Sequence, residues 1–297
     1  MLKIFKENKF KINYGIGDKT WFGSGGNCFC FINVNSKALL SFLVSYLNKI
    51  FPIFIIGNGS NLIIRDGGIN GIVVKLGKKF SNINFNKKDS LLSIGSSAKD
   101  KEISNFCLKN NIKDFEFLVG IPGTLGGNLK MNAGCYGYEI SDNLINCQIM
   151  DNAGKIQNLT NKQMKFKYRK SSITKEVILK AEFKVRIGSE DKIKKKMEYF
   201  AKIRKKNQPV ASRTGGSTFS NPIKESAWKL IDGINYRGKV HGGAKVSELH
   251  SNFLINKNCA TSLDLELLGE EIREKVWERF KIKLEWEIIR VGKFKKI

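Results

Sequence analysis

The sequence predicts an α+β fold in about two domains, because 297 residues exceed the usual size of a single domain. Residues 177–187 alternate apolar and polar side chains, as a strand with one buried face does. Residues 37–49, 191–206 and 264–280 each place apolar side chains on one face of a helix. The Gly-Ser-Glu sequence at 188–190 interrupts both kinds of pattern, so we expect a domain boundary close to it.

The remaining predicted elements are short and are separated by glycine-bearing turns. Apolar stretches predict strands at 53–56, 62–64, 72–74, 91–94, 145–150, 156–159 and 284–291. A further helix is predicted at 99–109. The alternation within 177–187 predicts an inward face made of Val177, Leu179, Ala181, Phe183, Val185 and Ile187. The buried stripe predicted for the helix at 191–206 consists of Ile193, Met197, Phe200 and Ala201.

Composition limits the class of protein. The formal net charge is +25, from 52 Lys and Arg against 27 Asp and Glu. Such a charge suits nucleic acid, an anionic membrane surface or a polyanionic small ligand. Abundant Lys, Asn and Ile beside scarce Pro also follow from an AT-rich genome, and that is the simpler explanation. No apolar run is long enough for a membrane helix, and the first residues lack the features of a signal peptide.

Cysteine and histidine usage argues against a metal centre. The six cysteines form no CxxC pair, and His241 and His250 are the only histidines. This pattern supports neither a zinc site nor a disulfide framework. We therefore expect no metal and a reducing, cytoplasmic setting.

Two glycine-rich segments are candidates for a cofactor site. Residues 57–61, Gly-Asn-Gly-Ser-Asn, lie between two predicted strands, so their N–H groups and a serine hydroxyl could bind a pyrophosphate. The segment lacks the third glycine and the following helix of a dinucleotide fingerprint, and alone it is equally typical of a tight turn. The second segment, residues 120–134, contains five glycines. That density favours a backbone passing close to a flat ligand or a diphosphate.

Four polar positions could carry chemistry. The planar guanidinium of Arg169 suits a carboxylate or an enolate, although one arginine means little in so basic a chain. Two glycines precede Ser217 and could expose its hydroxyl, but no nucleophile elbow is present, which argues against a hydrolase. The alternation at 284–291 places Glu285 and Glu287 on one face, where a carboxylate in a cleft would be a candidate acid. Residues 241–253 are typical of a loop that enters a short helix.

In their order and spacing, these segments resemble the UDP-N-acetylenolpyruvoylglucosamine reductase family, in its shorter subclass. The matching stretches are residues 20–23, 57–61, 65–68, 120–134, 168–171, 216–222, 242–253, 260–261 and 284–292. Each glycine loop is a weak signal, whereas the ordered set extends over most of the chain.

The resemblance implies an FAD-binding fold of the vanillyl-alcohol-oxidase type. Residues 1–19 would precede an FAD-binding domain at 20–188, whose subdomains would cover about 20–85 and 86–188, and a substrate-binding domain would follow at 189–297. The implied cofactors are FAD and NADPH. NADPH would reduce the flavin, and UDP-N-acetylglucosamine enolpyruvate would then accept a hydride at C3 in the same pocket. The product would be UDP-N-acetylmuramate, a precursor of peptidoglycan.

The resemblance also implies roles for individual residues. Arg169 matches the arginine that stabilises the enolate-like charge, and Ser217 matches the serine that protonates C2. Glu287 matches the glutamate of the enolic hydrogen-bond network, with Glu285 as the alternative. The implied cofactor-binding residues are Gly57, Asn58, Gly59, Ser60, Asn61, Gly120, Ile121, Pro122, Gly123, Thr124, Gly126, Gly127, Asn132, Ala133 and Gly134.

The nucleotide end of the substrate is less well specified. Candidates to meet the UDP diphosphate are Lys205, Lys206 and Arg213. The sequence departs from the family at Ser220, where a Lys or Arg is usual, and this puts the affinity for the nucleotide in question.

Two other functions remain open from the residues. One is a flavin-dependent oxidase or dehydrogenase with another substrate, and the other is a basic nucleic-acid-binding protein. The latter predicts exposed aromatic residues among Lys and Arg, a motif that the sequence lacks. We expect a small-molecule substrate, no nucleic acid, no membrane, and a monomer or weak oligomer.

Overall fold

The computed structural model describes residues 10–295 and confirms the α+β class. Two compact units divide the chain. The first contains residues 32–58 and 72–203, and the second contains residues 12–31, 59–71 and the chain from Arg204 onward.

Strands occur throughout the described chain, and those at 53–56 and 62–64 have the predicted bounds. The strands are β1 (Phe10–Tyr14), β2 (Cys28–Val34), β3 (Ile53–Ile56), β4 (Leu62–Ile64), β5 (Ile69–Leu76), β6 (Ile83–Asn86), β7 (Leu91–Gly95), β8 (Gly134–Cys135), β9 (Tyr138–Glu139), β10 (Leu144–Met150), β11 (Ile156–Thr160), β12 (Val177–Lys184), β13 (Val240–His241), β14 (Ala244–Val246), β15 (Leu254–Asn256) and β16 (Ile289–Val291).

The four long predicted helices are present, together with shorter ones. The α-helices are α1 (Lys37–Ser45), α2 (Asp100–Lys109), α3 (Leu125–Met131), α4 (Asn161–Met164), α5 (Glu190–Asn207), α6 (Ala227–Gly233) and α7 (Ser262–Phe280). Short 3-10 helices occupy Gly17–Lys19, Leu47–Lys49, Lys78–Phe80 and Glu116–Gly120.

The first unit is built on an antiparallel five-stranded sheet in the order β11-β10-β12-β7-β6. Phe183 of β12 lies opposite Leu92 of β7, and both side chains are fully buried. Helix α3 adds Leu125 and Leu129 to the same core. Burial of this apolar surface stabilises the unit by about 25 cal/mol per Å². It also fixes the backbone of the second glycine-rich segment, because α3 begins within that segment.

A second sheet has the strand order β1-β2-β5-β3. Strands β3 and β5 are parallel, with Ile53 opposite Ile72 and Ile56 opposite Lys75. Residues 57–61 follow the carboxyl end of β3. Ligand sites in open α/β sheets commonly lie at such strand ends.

The second unit packs helix α7 against a three-stranded sheet, β13-β14-β15. The predicted helical stripe is confirmed, since Leu265, Leu268, Ile272 and Val276 are fully buried and Phe280 is partly buried. Strand β16 pairs in parallel with β4, where Ile289 lies opposite Leu62.

Two predicted buried positions are wrong. Ile187 is 55% exposed, because β12 ends at Lys184, opposite Leu91, where its partner strand β7 begins. Ala201 is also exposed, although Ile193, Met197 and Phe200 of the same helix are buried. It lies at the edge of the stripe, one residue beyond Phe200.

Two predicted elements of the C-terminal region are also wrong in part. The last strand forms only over Ile289–Val291, because it becomes regular where β4 offers a partner. The segment 241–253 contains no helix. It enters the β13–β14 hairpin and then a turn that leads to β15.

Candidate active site

A cavity of about 580 Å³ lies within the first unit, at the carboxyl end of β3. One wall is apolar and includes Ile55, Ile56 and Ile178. Residues of both predicted glycine-rich segments also line the cavity. The predicted cofactor-binding residues that line the cavity are Gly57, Asn58, Thr124, Gly126 and Gly127.

The two glycine-rich segments are held together by direct contacts. The side chain of Asn58 donates a hydrogen bond to the carbonyl of Pro122 at 2.9 Å. A Cβ atom at Gly57 would lie 2.7 Å from Oγ1 of Thr124, closer than real Cβ contacts permit. Glycine at position 57 is therefore required for the two segments to approach this closely.

A buried carboxylate braces the second segment. Asp100 is 1% exposed and accepts hydrogen bonds from the N–H of Gly123 at 2.7 Å and from the amide of Asn128 at 2.6 Å. Burial raises the pKa of Asp100 to about 7, although both hydrogen bonds oppose the shift. Asp100 does not stand out in the sequence, where it is one of many charged residues at a predicted helix start.

The cavity contains polar groups that the sequence patterns did not reveal. The Oγ atom of Ser96 is buried and has no hydrogen-bond partner among the described residues, while the Ser96 carbonyl accepts the N–H of Gly126 at 2.8 Å. Lys75, Lys99 and Lys130 also line the cavity. Burial, reinforced by the charge of Lys99, lowers the pKa of Lys75. The position of Lys75 within the apolar strand β5 was the sequence feature that could have indicated a buried lysine.

These features fit an FAD diphosphate. Close-packed glycines allow backbone N–H groups to approach phosphate oxygens. The buried hydroxyl at Ser96, which has no partner among residues 10–295, needs one that a ligand could provide. Lysines lower the cost of placing two negative charges in a confined space. The apolar wall would pack against the uncharged parts of the dinucleotide.

The other predicted cofactor-binding residues lie outside the lining of this cavity. Gly120, Ile121, Pro122 and Gly123 precede the lining residue Thr124, whereas Gly59, Ser60 and Asn61 belong to the second unit. Asn132, Ala133 and Gly134 follow α3 in the first unit. Asn132 has a left-handed backbone, and its amide donates to Glu139 at 2.7 Å and to the carbonyl of Lys167 at 3.2 Å.

Arg169 lies in a tight turn of the first unit, bounded by a bridge between Lys167 and Lys170. Its φ angle is +56°, and its guanidinium donates to the carbonyl of Gly134 at 2.9 Å. The guanidinium carbon also lies 4.8 Å from the ring centroid of Tyr168. The structure therefore places Arg169 directly beside the predicted segment at 132–134.

Ser217 and Glu287 are neighbours in the second unit. Ser217 is half-buried and forms a bridge with Phe253. The N–H of Glu287 donates to the carbonyl of Thr218 at 2.9 Å, so the backbone of Glu287 is bonded to the residue that follows Ser217. The amide of Asn61 donates to the carbonyl of Glu287 at 3.1 Å. Asn61, predicted to bind a cofactor, thus also holds the backbone of Glu287.

Glu285 lies in different surroundings from Glu287, contrary to the expectation of a shared face. Glu285 is exposed and lines a groove of about 830 Å³ with Glu270 and Trp277, whereas Glu287 is half-buried and outside that groove. Because regular pairing starts only at Ile289, strand alternation does not apply to these residues.

The candidate nucleotide-binding residues lie on the surface of the chain. Lys205 and Lys206 are exposed at the end of α5, and Arg213 is exposed beside Gly23. Ser220 donates from its hydroxyl to the carbonyl of Glu285 at 3.2 Å. The side chain of Ser220 thus bonds to the backbone two residues before Glu287.

Residues 10–295 show neither a metal-binding cluster nor a membrane-spanning helix. In that range, no group of three or more His, Cys, Asp or Glu side chains is arranged to hold a metal ion. No helix of the same range is both long and apolar enough to span a membrane.

Comparisons with known proteins agree with the geometry. The FAD-binding domain family matches residues 30–160, and the C-terminal domain of UDP-N-acetylenolpyruvoylglucosamine reductase matches residues 208–291. The UDP-N-acetylenolpyruvoylglucosamine reductases of Rickettsia massiliae and Rickettsia typhi are each 46% identical to this chain, over 99% of it and 99% of each relative.

A solved structure supports the same relationship. The crystal structure of UDP-N-acetylenolpyruvylglucosamine reductase from Thermus caldophilus aligns with a TM-score of 0.82 and 26% identity, covering 96% of this chain and 99% of that one. The sequence match covers 99% of this chain and the structural match 96% of it. This chain, an oxidoreductase with an FAD-binding domain, belongs to the UDP-N-acetylenolpyruvoylglucosamine reductase family.

Proposed function

We propose that this chain performs the reaction of its family through three side chains, Arg169, Ser217 and Glu287. The reaction is the NADPH-dependent reduction of UDP-N-acetylglucosamine enolpyruvate to UDP-N-acetylmuramate, with FAD as the bound cofactor. The observation that carries the proposal is the hydrogen bond of 2.9 Å from the N–H of Glu287 to the carbonyl of Thr218. It joins the backbone of Glu287 to residues 217–219, here called the serine segment. Nothing in the local sequence pairs these segments.

The cavity of the first unit is the proposed cofactor site. Gly57, Thr124, Gly126 and Ser96 would meet the diphosphate, and Lys75 would offset its charge. When bound, FAD supplies the hydride-transfer chemistry that side chains lack. The protein orients the reactants and excludes water. The other predicted cofactor-binding residues remain part of the proposal.

Arg169 would stabilise negative charge as it develops on the substrate carboxylate. Its bond to Gly134 and its contact with Tyr168 fix the plane of the guanidinium before the substrate arrives. Preorganised charge of this kind is usually the largest single term in catalysis.

Ser217 would donate its proton to C2 of the substrate, and Glu287 would share the hydrogen-bond network of the enolic intermediate. A serine is a weak acid, so this transfer requires a strongly basic carbon, such as a carbanion beside a carboxylate. The half-buried setting of both residues reduces competition from water.

The finer organisation is also proposed. Residues 20–188 would bind FAD and residues 189–297 the substrate, a division supported by family matches at 30–160 and 208–291. We place the protein in the cytoplasm as a monomer or weak oligomer, with no nucleic acid as partner. Lys205, Lys206 and Arg213 stay as candidates for the UDP diphosphate.

A visible spectrum followed by a turnover assay tests the function. The purified chain, reconstituted with FAD, should be yellow and should release all its colour on denaturation. It should consume NADPH only when UDP-N-acetylglucosamine enolpyruvate is present, with phosphoenolpyruvate as the control. A protein that binds no flavin, or that keeps flavin covalently and oxidises an alcohol, would contradict the proposal.

A further inference from the structure

Asn252 is a buried residue that was not among the predicted site residues. Its side chain forms hydrogen bonds to the segment that contains Ser217. It is 4% exposed and lies in the turn between β14 and β15. Its Oδ1 accepts the N–H of Phe219 at 3.0 Å, and its Nδ2 donates to the carbonyl of Phe219 at 2.8 Å. One side chain thereby provides the pair of bonds that a neighbouring strand would otherwise supply.

The backbone around Asn252 extends this attachment. Its carbonyl accepts the N–H of Thr218 at 2.8 Å, and the N–H of Leu254 donates to Oγ1 of Thr218 at 3.2 Å. On the other side, the carbonyl of Thr218 accepts the N–H of Glu287. The serine segment is therefore held between Asn252 and the backbone of Glu287.

The residue directly before Ser217 has few side-chain neighbours to hold it, although Gly215 before that is closely packed against Phe22. Gly216 has a φ of +84°, and among residues 10–295, its two chain neighbours aside, no atom lies within 4 Å of the position that a Cβ would occupy. Glycine in this conformation loses more backbone freedom on folding than other residues do. The bonds that Asn252 makes to Thr218 and Phe219 add to the bridge between Ser217 and Phe253, and together they fix the backbone on the carboxyl side of Ser217.

We propose that Asn252 is a positioning residue for Ser217, which keeps the hydroxyl aimed at the carbon that it protonates. The inference rests on the proposed role of Ser217. It assigns to Asn252 no contact with the substrate, the flavin or NADPH.

The test compares the two half-reactions of an Asn252→Ala variant by stopped-flow spectroscopy of the flavin. Reduction by NADPH should stay within about twofold of the unmodified protein, because Ser217 takes no part in it. Reoxidation by UDP-N-acetylglucosamine enolpyruvate should slow by about 10- to 100-fold, the loss expected from a misplacement of about 1 Å. An equal loss in both half-reactions would reduce Asn252 to a structural residue and overturn the proposal.

Asn256→Ala is the matched control. Asn256 is also a buried asparagine, donating to the carbonyl of Phe22 and accepting from the N–H of Ala260, both at 2.8 Å. It makes no side-chain bond to residues 217–219. Its loss should lower the melting temperature as much as Asn252→Ala does, and the ratio of the two half-reaction rates should stay unchanged. A similar selective slowing of reoxidation in both variants would overturn the proposal.

A double variant separates the inference from the proposed function. If Asn252 acts through Ser217, Ser217→Ala with Asn252→Ala should be no slower in reoxidation than Ser217→Ala alone. Multiplied losses would contradict the inference and leave the role of Ser217 intact. If Ser217→Ala itself has no selective effect on reoxidation, the proposed function of Ser217 fails first.

Asn252→Asp serves if the alanine variant does not fold. The carboxylate still accepts from Phe219 but loses the donation to the Phe219 carbonyl. It should give the same selective loss, with a melting temperature that reports any general damage. Unchanged reoxidation in a folded Asn252→Asp protein would also overturn the proposal.

Discussion

The guanidinium of Arg169 is fixed by a hydrogen bond to Gly134 and by the ring of Tyr168. We expect Arg169→Lys to slow reoxidation by the enolpyruvyl substrate about tenfold or more, because an ammonium group lacks the planar fork. Stopped-flow rates would measure the change. Arg186→Lys, at an exposed arginine paired with Asp114, is the control and should have no effect. Turnover of Arg169→Lys close to that of the unmodified protein would remove Arg169 from the mechanism.

Asp100 predicts a pH dependence of stability. An ordinary aspartate titrates near 3.8, and burial raises the pKa of Asp100 to about 7. Between these pH values the folded protein keeps a proton that the unfolded chain has released, so the free energy of unfolding falls as pH rises through the window. The amide in an Asp100→Asn variant does not titrate, so the stability of that variant should fall less over the same range.

Chemical denaturation of the two proteins from pH 4 to 8 checks this expectation. The difference in unfolding free energy between Asp100→Asn and the unmodified protein should shift in favour of the variant as pH rises, then level off above about pH 8. A difference that does not change with pH would show that Asp100 is already ionised throughout.

The sequence predicted the cavity-lining glycines together with Asn58 and Thr124, but not Ser96, the lysines or the nearby Asp100. Gly57 and Gly126 stand out because glycine-rich segments are uncommon. Ser96 and Asp100 stand out only once the chain is folded, since burial and the absence or presence of a hydrogen-bond partner are tertiary properties. The role of Asn252 could not be predicted from the sequence for the same reason, since its partners Thr218 and Phe219 are distant in sequence.

At the scale of elements, Gly269 in helix α7 reverses the usual rule for helical glycine. Replacement of glycine by alanine inside a helix normally stabilises it by about 1 kcal/mol. Here a Cβ atom would meet the ring of Trp286, which packs on the helix. Overpacking costs typically about 1–3 kcal/mol, so we expect Gly269→Ala to lower the melting temperature.

Thermal unfolding measures this effect, with Glu274→Ala at an exposed position of the same helix as the control. Because Trp286 precedes Glu287, the variant should also slow reoxidation. A melting temperature at or above that of the unmodified protein would mean that Trp286 moves aside without cost.

The bounds of a helix or strand were predictable where its own residues and the turns beside it determine them. Strands β3 and β4 have the predicted bounds, since apolar stretches end at glycine or polar turns. The end of β12 and the start of β16 were not predictable, because each depends on a partner strand far away in the chain. The β13–β14 hairpin was mistaken for a helix entry, since its strands are too short to show alternation.

At the scale of the whole molecule, the charge of +25 indicated no function by itself. Part of this positive charge lies at the cavity of the first unit, whose lining includes Lys75, Lys99, Lys130 and Lys175 beside Glu176. Family membership came from the order of segments between residues 20 and 292, which the comparisons confirm. The domain boundary near residue 188 stays a prediction.

The most direct test of the account is a comparison of the two half-reactions in Ser217→Ala, prepared as full-length protein with FAD. Reduction of the flavin by NADPH should proceed almost as in the unmodified chain. Its reoxidation by UDP-N-acetylglucosamine enolpyruvate should slow by about 10²- to 10⁴-fold, the usual contribution of a positioned proton donor. Equal rates with and without the hydroxyl, or equal losses in both steps, would contradict the assignment of Ser217 as the proton donor.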